Sequence, residues 1–436
     1  MSKFFTRIIF TIAIGLFALL QACNNRSSTP APTTGTLSIS ITTGSPATAL
    51  SDVRVLVFNA ATNEPAAAGS SGSDGKYSVS LNPGSYFVKL GKQSYIPVPA
   101  SALLNPVPQK INAGATTNYE VNMTAMAANS LGWVSGKVPS GIANVLVAVE
   151  ATGVAYTSIS DSSGNYIIYN VPPAAYTVKG YAQSHTIASK TTTVTANAGS
   201  TVDLIAGPVP TSTVPVRFKL IAGGGVSSPA TMVVSLVHPI TKEAIPGLSL
   251  SQAYPPSLDY SFSGVADGRY IVRATFANDT IVVDPDNIVK AGEPSVTVSS
   301  GTPTPTVEII ATLAVTLTSP TNALNSTDPV PVTGLTPTFS WEAYSSTSDY
   351  VIEVMDANSG SIVWGGFTGM GTATATKNIM TTLLTINYNS DGKATALVVG
   401  KTYRWRIYAS KDDKGLTPPW KLISMSEDQM GLFTVK

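Results

Sequence analysis

A chain of 436 residues, 43% hydrophobic and only 12% charged, has material for several cores, and its length points to three or four domains. The net charge of +1, with no dense run among 26 Lys and Arg, excludes a protein that tracks nucleic-acid phosphates. Regularly placed Val, Ile, Tyr and Phe among abundant Ser, Thr, Ala and Gly argue for folded domains with an uncharged polar surface, and against a disordered stalk.

The chain opens with Lys3 and Arg7, then an apolar run over residues 8–20 that is too short to span a bilayer comfortably. The run ends in Leu20-Gln21-Ala22-Cys23, which resembles the lipobox of bacterial lipoproteins. That resemblance implies that residues 1–22 are a lipoprotein signal peptide, cleaved before Cys23, and that Cys23 carries a diacylglycerol thioether and usually an acylated amine. The membrane is then a partner through the lipidated N-terminus, and two or more acyl chains at about 0.8 kcal/mol per buried methylene make attachment effectively permanent. The alternatives are an ordinary signal peptide with a chance cysteine, or an uncleaved anchor. Cys23 is the only cysteine, so no intramolecular disulfide can form and each later domain must be held by its own core. Residues 23–35, rich in Ser, Thr and Pro, read as a lipidated flexible tether. Asn24 lacks the aspartate that favours inner-membrane retention in enterobacteria, which leans toward the outer membrane or cell surface.

Beyond the tether a unit recurs three times. Tyr86, Tyr176 and Tyr270 stand in residues 81–90 (LNPGSYFVKL), 171–180 (VPPAAYTVKG) and 265–274 (VADGRYIVRA), spaced 90 and 94 residues apart. Tyr77, Tyr166 and Tyr260 precede them by nine or ten residues, and each pair of tyrosine strands reads as a hairpin closing a small domain. The opening strands, TLSISIT, GWVSGKV and VPVRFKLI, alternate apolar and polar residues as half-buried strands do. VRVLVFN, VLVAVEA and MVVSLVH follow as second strands, and a last pair brackets a small loop in each unit. Glycine turns at Asp74-Gly75, Ser163-Gly164, Pro83-Gly84 and Asp267-Gly268 punctuate the runs. No segment of helical period follows the signal, so the expected fold is all-β, a tandem of β-sandwiches.

Residues 160–182 carry a family resemblance through Asp161, Gly164, Tyr166, Val171, Pro173, Tyr176 and Val178. The run resembles the carboxypeptidase regulatory-like domain, a transthyretin-like seven-stranded sandwich, with Ala174 in place of the usual turn glycine. Asp74, Gly75, Tyr77, Pro83, Gly84 and Tyr86 fit in the first unit, whereas the third has Asp267-Gly268 where Pro-Gly is usual. The boundaries are 36–125 and 213–312 for transthyretin-like sandwiches one and three, and 131–207 for carboxypeptidase regulatory-like sandwich two. The short junctions 125–130 and 207–213 predict domains lying end to end.

Residues 314–436 are built differently. TPTFSWEAY, DYVIEVMD and LVVGKTYRWRIYAS resemble a fibronectin type III domain, with Leu397, Gly400 and Tyr403 matching that family's L-x-x-G-x-x-Y corner. Trp341 and Trp405 read as core. Residues 368–396 exceed the family's corresponding loop, and LLTINYN within them reads as an added strand.

Catalytic signatures are missing from the sequence. His185 and His238 stand in neither H-E-x-x-H nor H-x-x-E, there is no G-x-S-x-G elbow, and Gly223-Gly224-Gly225 reads as a loop. Asp284, Asp286 and Asn287, and Asp412 with Asp413, offer oxygen ligands without the spacing of a calcium loop, so no metal or other cofactor is expected. Trp133, Trp364 and Trp420, with Tyr254, are the residues that would stack on sugar rings if exposed. The expectation is a non-enzymatic, membrane-anchored surface lipoprotein acting in binding or adhesion to a glycan or a surface protein. The alternative is a structural spacer; the ligand-binding residues are unassigned.

Replacing Cys23 by Ala should leave an uncleaved precursor or release the protein from the membrane fraction, read by precursor size and fractionation. Unchanged processing and unchanged fractionation would refute the anchor.

Overall fold

The computed structural model describes residues 33–100, 106–127, 130–220, 231–253, 259–276, 280–323, 326–427 and 429–436. Cys23, the tether up to residue 32, Gly223-Gly224-Gly225 and Tyr254 lie outside them. The described residues form tandem β-sandwiches.

The first sandwich runs through β1 (Gly35–Thr43), β2 (Thr48–Ala49), β3 (Arg54–Asn59), β4 (Pro65–Ser70), β5 (Lys76–Leu81), β6 (Gly84–Gly91), β7 (Gln109–Ile111) and β8 (Thr116–Met123). One sheet places β1 between antiparallel β5 and parallel β8, with β2 on the end of β1; the other has the order β4-β3-β6-β7. The alternation in TLSISIT sends Leu37, Ile39 and Ile41 inward, against Val55 and Val57 of β3 and Tyr86, Val88 and Leu90 of β6.

The other two repeats reproduce this plan. In the second, Gly132–Lys137 lies between antiparallel Asn165–Val171 and parallel Gly199–Thr201, while Leu146–Ala151 pairs with Val154–Ile159 and Ala174–Ala182 in the facing sheet. In the third, Ser212–Leu220 lies between Asp259–Val265 and parallel Val307–Leu313, and Thr231–Val237 pairs with Ala244–Ala253 and Gly268–Phe276.

The tyrosine strands do not form a hairpin. β5 pairs with β1, whereas β6 pairs with β3 and β7, so the Pro-Gly link crosses from one sheet to the other. Turn chemistry and alternation are the same for a hairpin and a crossing; only the partner strand differs, and it lies far away in sequence. The tyrosine after the crossing braces it in all three repeats. Tyr86, Tyr176 and Tyr270 donate to the carbonyl four residues back, Asn82 at 2.9 Å, Pro172 at 3.0 Å and Ala266 at 2.8 Å, with rings buried in the sandwich. A buried hydroxyl thus meets the acceptor it needs, and burial raises the pKa of all three phenols.

The fourth sandwich places Thr338–Trp341 between Leu317–Ser319 and Thr385–Asn387, so the LLTINYN run does supply a strand. Its larger sheet has Thr402–Asp412 at the centre, paired with Asp349–Asp356, Leu432–Val435 and Trp420–Met425. Trp405, Ile407 and Ala409 alternate into a core with Trp341, Phe339 and Phe433. The amide of Val398 donates to the Tyr403 hydroxyl at 2.9 Å, which closes the corner. An extra hairpin, Phe367–Thr368 with Thr376–Lys377, sits in the long insert.

Among the described residues one helix departs from the all-strand expectation, at Pro285–Ala291. Asp284 caps it by accepting from the amides of Asp286 and Asn287 at 2.9 and 3.3 Å, and Pro285 enters the first turn.

Nor do the sandwiches lie end to end. Phe58 and Phe87 of the first and Leu146, Ala148, Ile159 and Tyr181 of the second belong to one continuous apolar cluster with the core of the third. The short junctions therefore fold the modules back side by side. The fourth sandwich contacts two of the others: Ala100 N donates to Ser359 O at 3.0 Å on the first, and Ser424 Oγ donates to Leu313 O at 2.6 Å at the third.

Tyr176→Ala should cost about 3–5 kcal/mol of unfolding free energy, the range for a buried aromatic, and Tyr176→Phe about 1 kcal/mol for the hydrogen bond alone. Denaturant unfolding followed by near-ultraviolet circular dichroism reads both, and an unchanged midpoint in the alanine variant would refute the bracing role.

Candidate functional site: the junction of three sandwiches

The junction is built by the second strand of each repeat. VRVLVFN, VLVAVEA and MVVSLVH are apolar almost throughout, so each strand feeds its own core with one face and a neighbour with the other. Val147 and Val149 point into the second sandwich, while Leu146 and Ala148 join the shared cluster.

Polar groups at the seam are matched across it. Glu150 of the second sandwich accepts from Lys179 Nζ at 2.7 Å, Tyr181 Oη at 2.5 Å and His238 Nε2 of the third at 3.0 Å. His238 is fully buried, and its Nδ1 accepts from the amides of Thr241 at 3.1 Å and Ile240 at 3.3 Å. Those two amides fix the tautomer: Nε2 carries the proton it gives to Glu150. Burial alone would raise the Glu150 pKa, but the hydrogen bonds from His238, Lys179 and Tyr181, with the Lys179 charge, bring it down to about 2. The Tyr181 ring also meets Tyr270 edge to face at 6.3 Å.

Between sandwiches one and two, Asn170 takes a positive φ of 59° and sits in a pocket of backbone. Its side chain donates to Lys92 O at 3.1 Å and Tyr95 O at 3.0 Å and accepts from Ser94 N at 2.8 Å. Lys89 reaches Glu243 of the third sandwich at 2.7 Å. Gly264, at φ 67°, gives its carbonyl to Ser184 N at 2.7 Å, and a Cβ there would come within 2.5 Å of Ser184 Oγ.

These contacts leave a cleft of about 380 Å³, lined by all three sandwiches. Leu56, Met126, Ala155 and Ile167 give it apolar walls; Tyr156, Tyr169, Arg54, Ser158, Lys89 and Glu243 supply polar groups. Arg54 is only 6% exposed. Its Nη2 donates to Ile159 O at 2.6 Å, and Nη1 stands 3.7 Å from Asp161 Oδ2. Burial lowers the pKa of this guanidinium, and Asp161 opposes the shift. Nε of Arg54 and Oγ of Ser158 are both buried without a hydrogen-bond partner among the described residues.

The residues singled out in the sequence fare differently. Trp364, named as a sugar platform, is interior: it is 3% exposed and its indole donates to Asp391 at 2.8 Å. Trp133 is half-buried, packed on Gly199, whose added Cβ would come within 2.4 Å of the indole nitrogen. Trp420 is half-buried, stacked on Phe367 at 5.7 Å with Lys377 Nζ 5.4 Å from its centroid. Asp284 is occupied as the helix cap, Asp286 and Asp413 face Lys421 at 3.3 and 3.8 Å, and Asp412 faces Lys377 at 3.9 Å. His185 is half-buried, its Nδ1 2.7 Å from Gln183 O. Sequence reasoning passed over Arg54, Glu150, Asn170 and Ser158. The carboxylate that meets His238 lies 88 residues before it, and no local pattern announces the pair.

No protein-family model and no curated protein sequence matches the chain. Among solved structures it is similar to the Bacillus anthracis TIE protein, at 13% identity over 64% of this chain and 51% of that one, TM-score 0.18. The chain thus spans about half the length of that protein. It is also similar to the streptococcal ancillary pilin, at 10% identity over 64% of this chain and 98% of that one, TM-score 0.20. BcpA, the major pilin subunit of Bacillus cereus, matches at 10% identity over 64% and 99%, TM-score 0.17. At those scores the likeness bears on neither activity nor partner.

Because Glu150 has a folded pKa of about 2 against an ordinary 4.5, its contribution to stability is complete above pH 4.5 and is lost as the pH falls toward 2. Glu150→Gln should lower the unfolding midpoint at pH 6 and flatten its decline between pH 4.5 and 2. Parallel pH profiles for the two proteins would overturn the assignment.

Proposed function

We propose that this is a non-enzymatic, membrane-anchored surface lipoprotein that acts in binding or adhesion. In this reading residues 36–125, 131–207 and 213–312 form the supporting domains and residues 314–436 present the recognition surface. The signal run ending in Cys23 supports the anchoring, and the outer membrane or cell surface is the location that Asn24 favours.

The observation that carries the recognition reading is the placement of exposed apolar side chains. Met380 and Leu383 are 60% and 65% exposed and Val399 is 65% exposed, all on the fourth sandwich, with Leu384 and Met370 also open to solvent. Met380, Leu383 and Leu384 fall in the long insert, within five residues of one another. Aliphatic and thioether side chains on a surface otherwise poor in charge fit another protein's apolar patch better than a sugar ring, which stacks on aromatics. A glycan reading rests on Trp420, half-buried beside Phe367 and Lys377.

Labelled protein should be retained on intact cells, with retention removed by protease treatment of those cells and reduced at least tenfold by Leu383→Asp together with Met380→Asp. Retention that survives protease but falls after periodate oxidation would move the reading to glycan. Retention indifferent to both treatments and to both substitutions would leave the protein a spacer.

A further inference from the structure

The cleft at the three-way junction has the features of a small-molecule site, independently of any adhesive role. Its volume of about 380 Å³ lies within the range for bound organic ligands, and it opens where separate sandwiches meet. We propose that it binds a small organic monoanion, a carboxylate carried on an apolar or aromatic body.

Two buried polar groups in the wall point to the anionic end. Among the described residues Arg54 Nε is a donor with no acceptor, and Ser158 Oγ likewise lacks a partner. Both residues are 6% exposed and both line the cleft, and Arg54 Nη2 already holds the carbonyl of Ile159, the residue next to Ser158. A buried donor left without an acceptor is costly, more so on a charged group. A carboxylate accepts from a guanidinium N–H and a hydroxyl together through its two oxygens.

The carboxylates of the wall limit the ligand to a single negative charge. Lys89 and Glu243 neutralise one another at 2.7 Å and Asp161 Oδ2 forms an ion pair with Arg54 Nη1 at 3.7 Å, so the wall carries balanced charge and the Nε donor of Arg54 is what remains to be met. A dianion would bring its second charge toward Glu243 and Asp161. A carboxylate forms a stronger, charge-assisted bond with the guanidinium than a neutral carbonyl does. The body of the ligand is set by the rest of the wall, where Leu56, Met126, Ala155 and Ile167 offer apolar contact and Tyr156 and Tyr169 offer ring faces and edges.

Calorimetric titration of the purified full-length protein at neutral pH tests this with 3-phenylpropanoate, straight-chain carboxylates from butanoate to dodecanoate, and the matching primary amides. One saturable site per chain is expected for at least one acid, at least tenfold tighter than its amide. Ala155→Trp, which fills the cleft and leaves Arg54 in place, should weaken binding at least tenfold, as should Ala100→Trp at the exposed rim. Arg54→Gln should abolish the preference for acid over amide. The proposal is overturned if no carboxylate in the series binds, if the amides bind as tightly as the acids, or if both tryptophan variants bind unchanged.

Discussion

The structure depends on strands that must be covered on two sides. In each repeat the strand after the opening one carries apolar residues at odd and even positions alike, so a single sandwich can bury only half of them. Phe58, Leu146, Ile159 and Tyr181 would be left facing water in isolated modules; in the folded chain they lie against the third sandwich. Each large side chain removed from water contributes roughly 1.5–3 kcal/mol, an upper estimate because unfolded chains already bury part of that surface. With a single cysteine in the chain, no disulfide among these modules is available, and this shared face holds them together.

Apolar burial has no direction, so register across the junction must come from the polar groups. Glu150 accepts three hydrogen bonds from Lys179, Tyr181 and His238, and only the last crosses into the third sandwich. A buried carboxylate with fewer partners would be a net cost. Asn170 does the same service between the first two sandwiches, meeting three backbone groups with one amide side chain, and Gly264 lets Ser184 approach to a distance no Cβ would permit. Displacement of one sandwich against another by a fraction of a turn would strand these groups without water. The seam thus has one favourable register.

Much of the architecture was legible because it is local. The alternation in TLSISIT, the paired tyrosines and the Leu397-Gly400-Tyr403 corner all put their residues where period-2 reasoning and turn chemistry expect them. Pairing over long separations was not legible: the same Pro-Gly signal serves a hairpin and a crossing, and the partner of β5 is β1 rather than its neighbour. The helix that Asp284 caps runs for only seven residues, too short for a helical period to show in the sequence. Side-by-side packing did leave a trace, in the unbroken apolar runs VLV, VLVAV and MVV, which are the mark of strands covered on both faces. The candidate site left almost none, since Arg54 and Ser158 belong to different sandwiches and become neighbours only through that packing.

The position of the fourth sandwich follows from the same logic and bears on what it can present. It is held from two directions: Lys110 faces Asp328 at 3.4 Å and Ala100 meets Ser359 on the side of the first sandwich. On the side of the third, Ser424 Oγ donates to Leu313 O at 2.6 Å and Lys421 faces Asp286. The exposed Lys110 pair is worth little by itself, but the buried contact of Val107 with Ala357 and Leu432 adds to it. A module fixed at two places has little freedom to reorient about a linker. The exposed Met380, Leu383 and Val399 therefore keep a constant direction relative to the three sandwiches behind them, and the partner proposed above would have less orientational entropy to remove on docking there.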